Sequence, residues 1–204
     1  PQDFDLILKN LCDAVLIKKR KKLPVTIGVQ MLLIPQNIRE VVGLAHALKK
    51  IGVDYLTIKP YSQHPLSGAR MDPRFRYADT LALGKKLEAL SDKKFQVIFR
   101  SGTMERLKIG KDYAHCYGLP FWAYITATGD VYACSAFLSR REYVYGNIYK
   151  KDLGAILKSV RRRKIIRRAA TELDVRRCRE VCRLDKINEY LWELKHPGPH
   201  VNFI

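Results

Sequence analysis

At 204 residues with 47% hydrophobic content, the chain can bury a core and form one large domain, or a medium domain with a small one, which excludes a disordered polymer. No apolar run approaches the roughly 20 residues that span a bilayer, and the acidic start PQDFD lacks the basic and apolar regions of a signal peptide, so the expected location is the cytoplasm. The formal charge is +18, and +10 of it falls between Arg140 and Arg183, where fifteen Lys/Arg face five Asp/Glu; such a field attracts polyanions without naming one.

The chain begins at Pro1 rather than Met and enters a helical pattern at once, so a preceding portion is expected. Phe4, Ile7, Leu8, Leu11, Ala14 and Val15 recur at three-and-four spacing, which predicts a helix over Phe4 to Ile17, with Cys12 at the margin of its apolar face. KKRKKLP reads as a connector, and VTIGVQMLLI as a strand buried on both faces. Ile38 to Ile51 read as a helix stopped by Gly52, and DYLTIKP as the next strand. YSQHPLSGARMDPRF is loop-like; Tyr77 to Leu90 read as a helix and FQVIFRS as a strand. Alternating strands and helices indicate an α/β fold with a parallel sheet.

After about Thr103 the pattern changes. FWAYIT and VYAC, joined by ATGD, form an expected hairpin. Asp152 introduces a helix with Leu153, Ile156, Leu157 and Val160 inward, which RRRKIIRR continues with a basic surface. Leu184, Ile187, Leu191 and Leu194 mark a last helix before HPGPHVNFI. The expected boundary divides 1–102 from 103–204.

Five cysteines without a secretion signal point to metal binding or catalysis rather than disulfides. Seventeen residues separate Cys116 from Cys134, so a hairpin can bring the second thiol back to the first. Cys178 and Cys182 lie four apart, on one side of a turn. Four thiolates can then meet at one soft cation or cluster. Spacing alone leaves an iron-sulfur cluster and a structural zinc both open, beside unligated core cysteines.

From His115 to Cys182 the sequence resembles the SPASM/Twitch extension of radical S-adenosylmethionine enzymes. Cys116 is followed by twelve residues, Gly129, four residues and Cys134; then come Gly146, Asn147 and Ile148, the amphipathic LGAILKSV, and Cys178 and Cys182. Two departures stand out. The closing pair has three intervening residues where two are common, and the further cysteines of a two-cluster SPASM domain are absent, which favours the shorter Twitch-like form.

The resemblance implies an auxiliary 4Fe-4S cluster on Cys116, Cys134, Cys178 and Cys182 in a small α+β extension. Pro24 to Pro60 resembles the later half of the family's partial (β/α) barrel, which implies that Gln30, Lys59 and Tyr61 lie near S-adenosylmethionine. The motif of three cysteines that holds the second 4Fe-4S cluster occurs nowhere in the chain and is expected upstream. The whole enzyme would cleave S-adenosylmethionine reductively for radical chemistry on an unknown substrate, a peptide or small molecule. From another class stands a basic four-cysteine zinc module that binds nucleic acid or another polyanion.

His46 and His64 read as structural or solvated; His115, next to Cys116, is open as a neighbour of the bound group, and His196 and His200 flank PGP in a tail that either packs over the site or is exposed. Trp122, Tyr124 and Tyr132 are ordinary strand residues that could also stack on a substrate. The helix Arg161 to Arg168 is either a solvated face or a site for an anionic partner.

Overall fold

The computed structural model describes residues 2–72 and 74–199; His200 lies outside them. The fold is mixed α/β with two small sheets, and the chain divides into two compact units. The first holds residues 1–61 and 70–108, the second 62–69 and 109–204.

The first unit runs α1 (Gln2–Arg20), β1 (Gly28–Leu33), α2 (Val41–Ile51), β2 (Tyr55–Pro60), α3 (Leu81–Glu88), β3 (Gln96–Phe99) and α4 (Ser101–Ile109). Its strands are parallel in the order β1-β2-β3, with Gly28 opposite Tyr55 and Tyr55 opposite Gln96. The central strand is β2, where Leu56 and Ile58 are fully buried. VTIGVQMLLI was expected to be buried on both faces; among the described residues β1 pairs with β2 alone, and its residues alternate between exposed and half-buried up to Leu33. A continuous apolar run does not separate central from edge position, because the number of neighbouring strands decides it.

Leu33, Val41, Ala45, Leu48, Leu56, Leu87, Val97 and Phe99 belong to one core. Two glycines are required by position. Gly52 ends α2 at φ 92°, its N–H donating to Leu48 O, as the sequence predicts. Gly84 lies against Phe99, whose ring carbon would be 2.5 Å from an added Cβ. Helix α4 was not expected; its weakly amphipathic sequence SGTMERLKI carries little periodic signal.

Asp54 ties α1 to the sheet. Its carboxylate accepts from Ile27 N at 2.6 Å and from Lys18 Nζ at 2.6 Å and 2.7 Å. The hydrogen bond from Lys18, followed by that from Ile27, holds its pKa below the usual carboxylate range. A depressed folded pKa contributes stability that is present above the unfolded value near 4 and is lost as pH falls through the folded one. Asp54→Asn is therefore expected to cost about 1 kcal/mol at pH 7, a figure kept small by solvent screening. The difference from the parent should shrink as pH falls below about 4 in urea unfolding followed by circular dichroism.

The second unit contains β4 (Tyr124–Ile125), β5 (Asp130–Tyr132), β6 (Val144–Asn147), α5 (Leu153–Lys158), α6 (Val160–Ala169) and α7 (Asp185–Lys195). The strands form an antiparallel sheet in the order β4-β5-β6. The expected hairpin is present as β4 and β5, shorter than FWAYIT and VYAC. Gly129 closes its turn at φ 80°. Strand β6 was missed because it is four residues long and pairs across an irregular register between Val131 and Tyr132.

The helix expected to run unbroken from Asp152 through the arginines is two helices. Ser159 adopts φ −66° and ψ 151°, and its Oγ accepts from Arg162 N to cap α6, as Asp152 caps α5 through Ala155 N. Several α6 arginines are engaged within the unit. Arg161 donates to Val144 O and Arg141 O, Arg162 to Leu157 O and Pro120 O, and Arg163 to Lys158 O, while Arg168 pairs with Glu172. These bonds brace α6 against the sheet and the loop before it.

Candidate metal centre

All four cysteines singled out from the sequence belong to the core of the second unit, while Cys12 lies in the first unit. Buried Cys116 packs with Val131, Ala133, Tyr145 and Leu184, and half-buried Cys134, Cys178 and Cys182 pack against the same cluster. Each arrives on a different local scaffold. Cys116 sits in a loop whose N–H bonds Ala169 O. Cys134 is extended where the chain leaves β5 for a short 3-10 turn over Ser135–Phe137. Cys178 ends a second 3-10 turn, Val175–Arg177, which Asp174 caps through Arg176 N. Cys182 precedes α7 and follows Cys178 through irregular chain.

The thiols are mutual electrostatic neighbours. Burial pushes Cys178 up to about 12, with charge on Cys116, Cys182 and Cys134 adding to the rise. Cys182 is pushed up to about 11, again by burial first, with Leu184 N–H and Lys111 opposing. Burial also raises Cys116, against donation from Asn188, Gly118 and Leu119. Without a cation these groups are neutral thiols at physiological pH; a bound cation inverts that preference and releases their protons. Among the described residues no three His, Cys, Asp or Glu side chains stand as a set that could hold a metal ion.

Polar residues that sequence reasoning did not single out surround the thiols. Asp185, at the start of α7, accepts from Tyr113 Oη at 2.5 Å, from Lys111 Nζ at 3.1 Å and, through its other oxygen, from Cys182 N at 2.8 Å. Lys111 also donates to Arg179 O at 2.9 Å and Glu180 O at 3.3 Å, so one ammonium and one carboxylate pin the loop between Cys178 and Cys182. Asn188, one turn along α7, accepts from Gly118 N at 2.7 Å and donates to Cys116 Sγ at 3.7 Å. Leu184 N donates to Cys182 Sγ at 3.4 Å. The available signal was positional: Asp185 and Asn188 share the inward stripe of the last helix with Leu184 and Ile187, where polar residues are out of place unless they are paired.

A cavity of about 320 Å³ opens beside Cys134 and Cys182, lined also by His64, Trp122, Tyr124 and Arg183. His64, read as structural, accepts from Leu66 N through Nδ1 and therefore donates from Nε2 to Ser135 O at 3.1 Å, next to Cys134. Arg183 lies 5.7 Å from the Trp122 ring centre. His115 approaches Leu173 O and Trp192, and His196 stacks on Trp192 at 3.9 Å.

The profile of the SPASM family, an iron-sulfur cluster-binding domain, matches residues 116–183, beginning at Cys116 and ending one residue past Cys182. The matched segment takes in all four cysteines, β4 to β6, α5 and α6. No curated protein matches the chain. Among solved structures, the crystal structure of Streptococcus suis SuiB is similar to 70% of this chain at 14% identity and a TM-score of 0.47. The chain spans 36% of that structure's length.

In the first unit, Gln30 on β1 and Lys59 on β2 are brought together, Lys59 Nζ donating to Gln30 Oε1. Tyr61 follows β2, its N–H bonding Tyr77 Oη at 2.7 Å. No helix among the described residues is long and apolar enough to cross a membrane.

Proposed function

We propose that Cys116, Cys134, Cys178 and Cys182 ligate one auxiliary 4Fe-4S cluster, in a Twitch-like form of the SPASM domain, within a radical S-adenosylmethionine enzyme. The observation that carries this reading is the gathering of four thiols from three separate segments into one core inside the SPASM match. The donor set suits the group: four sulfurs, no competing carboxylate beyond the paired Asp185, and N–H groups already directed at two of the sulfurs.

When bound, the cluster would supply one-electron transfer. The residues of the chain do the rest. Asp185 and Lys111 hold the loop that carries Cys178 and Cys182, Asn188 holds Gly118 and so the loop after Cys116, and the apolar shell limits water at the sulfurs. In the same reading the first unit is the later part of a partial (β/α) barrel, with Gln30, Lys59 and Tyr61 directed to S-adenosylmethionine, and the protein acts in the cytoplasm on a peptide or small molecule. The carbonyl-bonded arginines of α6 serve the fold in this reading, not an anionic partner.

Anaerobic reconstitution of the purified chain followed by iron and sulfide analysis tests the proposal. About four of each per chain are expected. One stoichiometric zinc without sulfide would replace it with the structural zinc module.

A further inference from the structure

Tyr145 lies in β6, one residue before the Gly146-Asn147-Ile148 run, and is 3% exposed. Its hydroxyl oxygen is buried, and among the described residues no acceptor takes its proton; Arg162 approaches it only as a donor. A buried hydroxyl left unpaired is costly, so such an orphan signals a partner that joins it in the working molecule. Tyr145 shares its core with Cys116 and Cys134. Cys134 follows β5, the neighbour of β6, and Ala133 N bonds Tyr143 O across that edge.

Arg162 lies 5.6 Å from the ring centre with its terminal nitrogens committed to Leu157 O and Pro120 O. Arg162 brings only donors, so it can satisfy the phenol oxygen but never use the phenol proton. A phenol keeps its proton at neutral pH, so the hydroxyl needs an acceptor.

We infer that the Tyr145 hydroxyl donates a hydrogen bond to the sulfur shell of the cluster held by Cys116 and Cys134, and thereby raises its reduction potential. The inference rests on the cluster assignment above. A donor to a cluster sulfur stabilises the reduced, more negative state more than the oxidised one, so its removal makes reduction harder. Tyr145 is a positioning and tuning residue here, not a ligand. Asn188 is its counterpart at Cys116 but also fixes Gly118, so only Tyr145 can be altered without loosening a loop.

The test compares the parent chain, Tyr145→Phe, and the chain carrying 3-fluorotyrosine at position 145. Each is reconstituted anaerobically, assayed for iron and sulfide, and titrated by EPR against redox mediators. Tyr145→Phe should keep the parent's iron and sulfide while its midpoint moves negative by about the equivalent of a tenfold change in the reduction equilibrium, about 59 mV for one electron. The more acidic fluorinated phenol is a stronger donor and should move the midpoint the opposite way. Full cluster content with unchanged midpoints in both would overturn the inference and leave the cluster in place. A parent chain that takes up no iron and sulfide would overturn both. If Tyr145→Phe fails to load, the fluorinated chain decides alone, since it keeps ring and hydroxyl.

Discussion

Cys182→Ser is expected to strip most of the iron and sulfide from the reconstituted chain, by tenfold or more, while Cys12→Ser leaves both at the parent level. The serine hydroxyl is a hard, weakly acidic donor in a site suited to soft thiolates. The substitution is gentle for the fold. Cys182 Sγ accepts one long bond, from Leu184 N, and the structural bond of this residue is made by its backbone N–H to Asp185. Cluster-free forms of parent and variant should therefore unfold within about 1 kcal/mol of each other. The same loss is expected of Cys134→Ser. Full cluster content in either variant would remove that residue from the ligand set.

Asp185→Ala is expected to have the largest effect on stability, roughly 3–5 kcal/mol, because it leaves Lys111 buried without its counter-charge. The Lys111 and Asp185 side chains are 8% and 13% exposed, so water screens the pair little. Tyr113 Oη and Cys182 N would lose this acceptor, and Lys111 Nζ would keep only the carbonyls of Arg179 and Glu180. Removing the charge from both sides separates burial from pairing. Lys111→Met with Asp185→Leu should recover a large part of the loss, since an apolar pair of similar volume often replaces a buried ion pair without penalty. Urea unfolding of the parent, the single variant and the double variant checks this, and equal destabilisation of the two variants would show that the bond to Cys182 N is what matters. The single variant should also load less iron, because the loop carrying Cys178 and Cys182 is no longer pinned.

Much of the first unit was legible because its signals are local. Gly52 stops α2 where the periodicity ends, and DYLTIKP forms the central strand. What was not legible depended on neighbours: VTIGVQMLLI reads alike at the centre and at the edge of a sheet. Ser159 shows the opposite case. Its capping hydroxyl is a local signal, but the apolar and basic pattern runs through it and the break was missed.

In the second unit, cysteine spacing and the Gly129 turn pointed to segments that the structure gathers into one core, because a hairpin of fixed length returns the chain to a fixed place. The groups that brace those segments did not show. Lys111, Tyr113 and Asp185 are separated by more than seventy residues at their widest, and nothing in a single sequence announces that a lysine and a tyrosine donate to one oxygen of an aspartate so far away. Tyr145 was invisible for another reason: an unpaired hydroxyl is a property of a packed interior and has no sequence pattern.

The second unit is assembled from two stretches of chain, 62–69 and 109–204. His64 and Ser62 in the short stretch reach the carbonyls of Ser135 and Val181 in the long one. No single cut in the gene can therefore release this unit whole. A clone starting at residue 109 would leave behind the eight residues 62–69, and with them the histidine that borders Cys134.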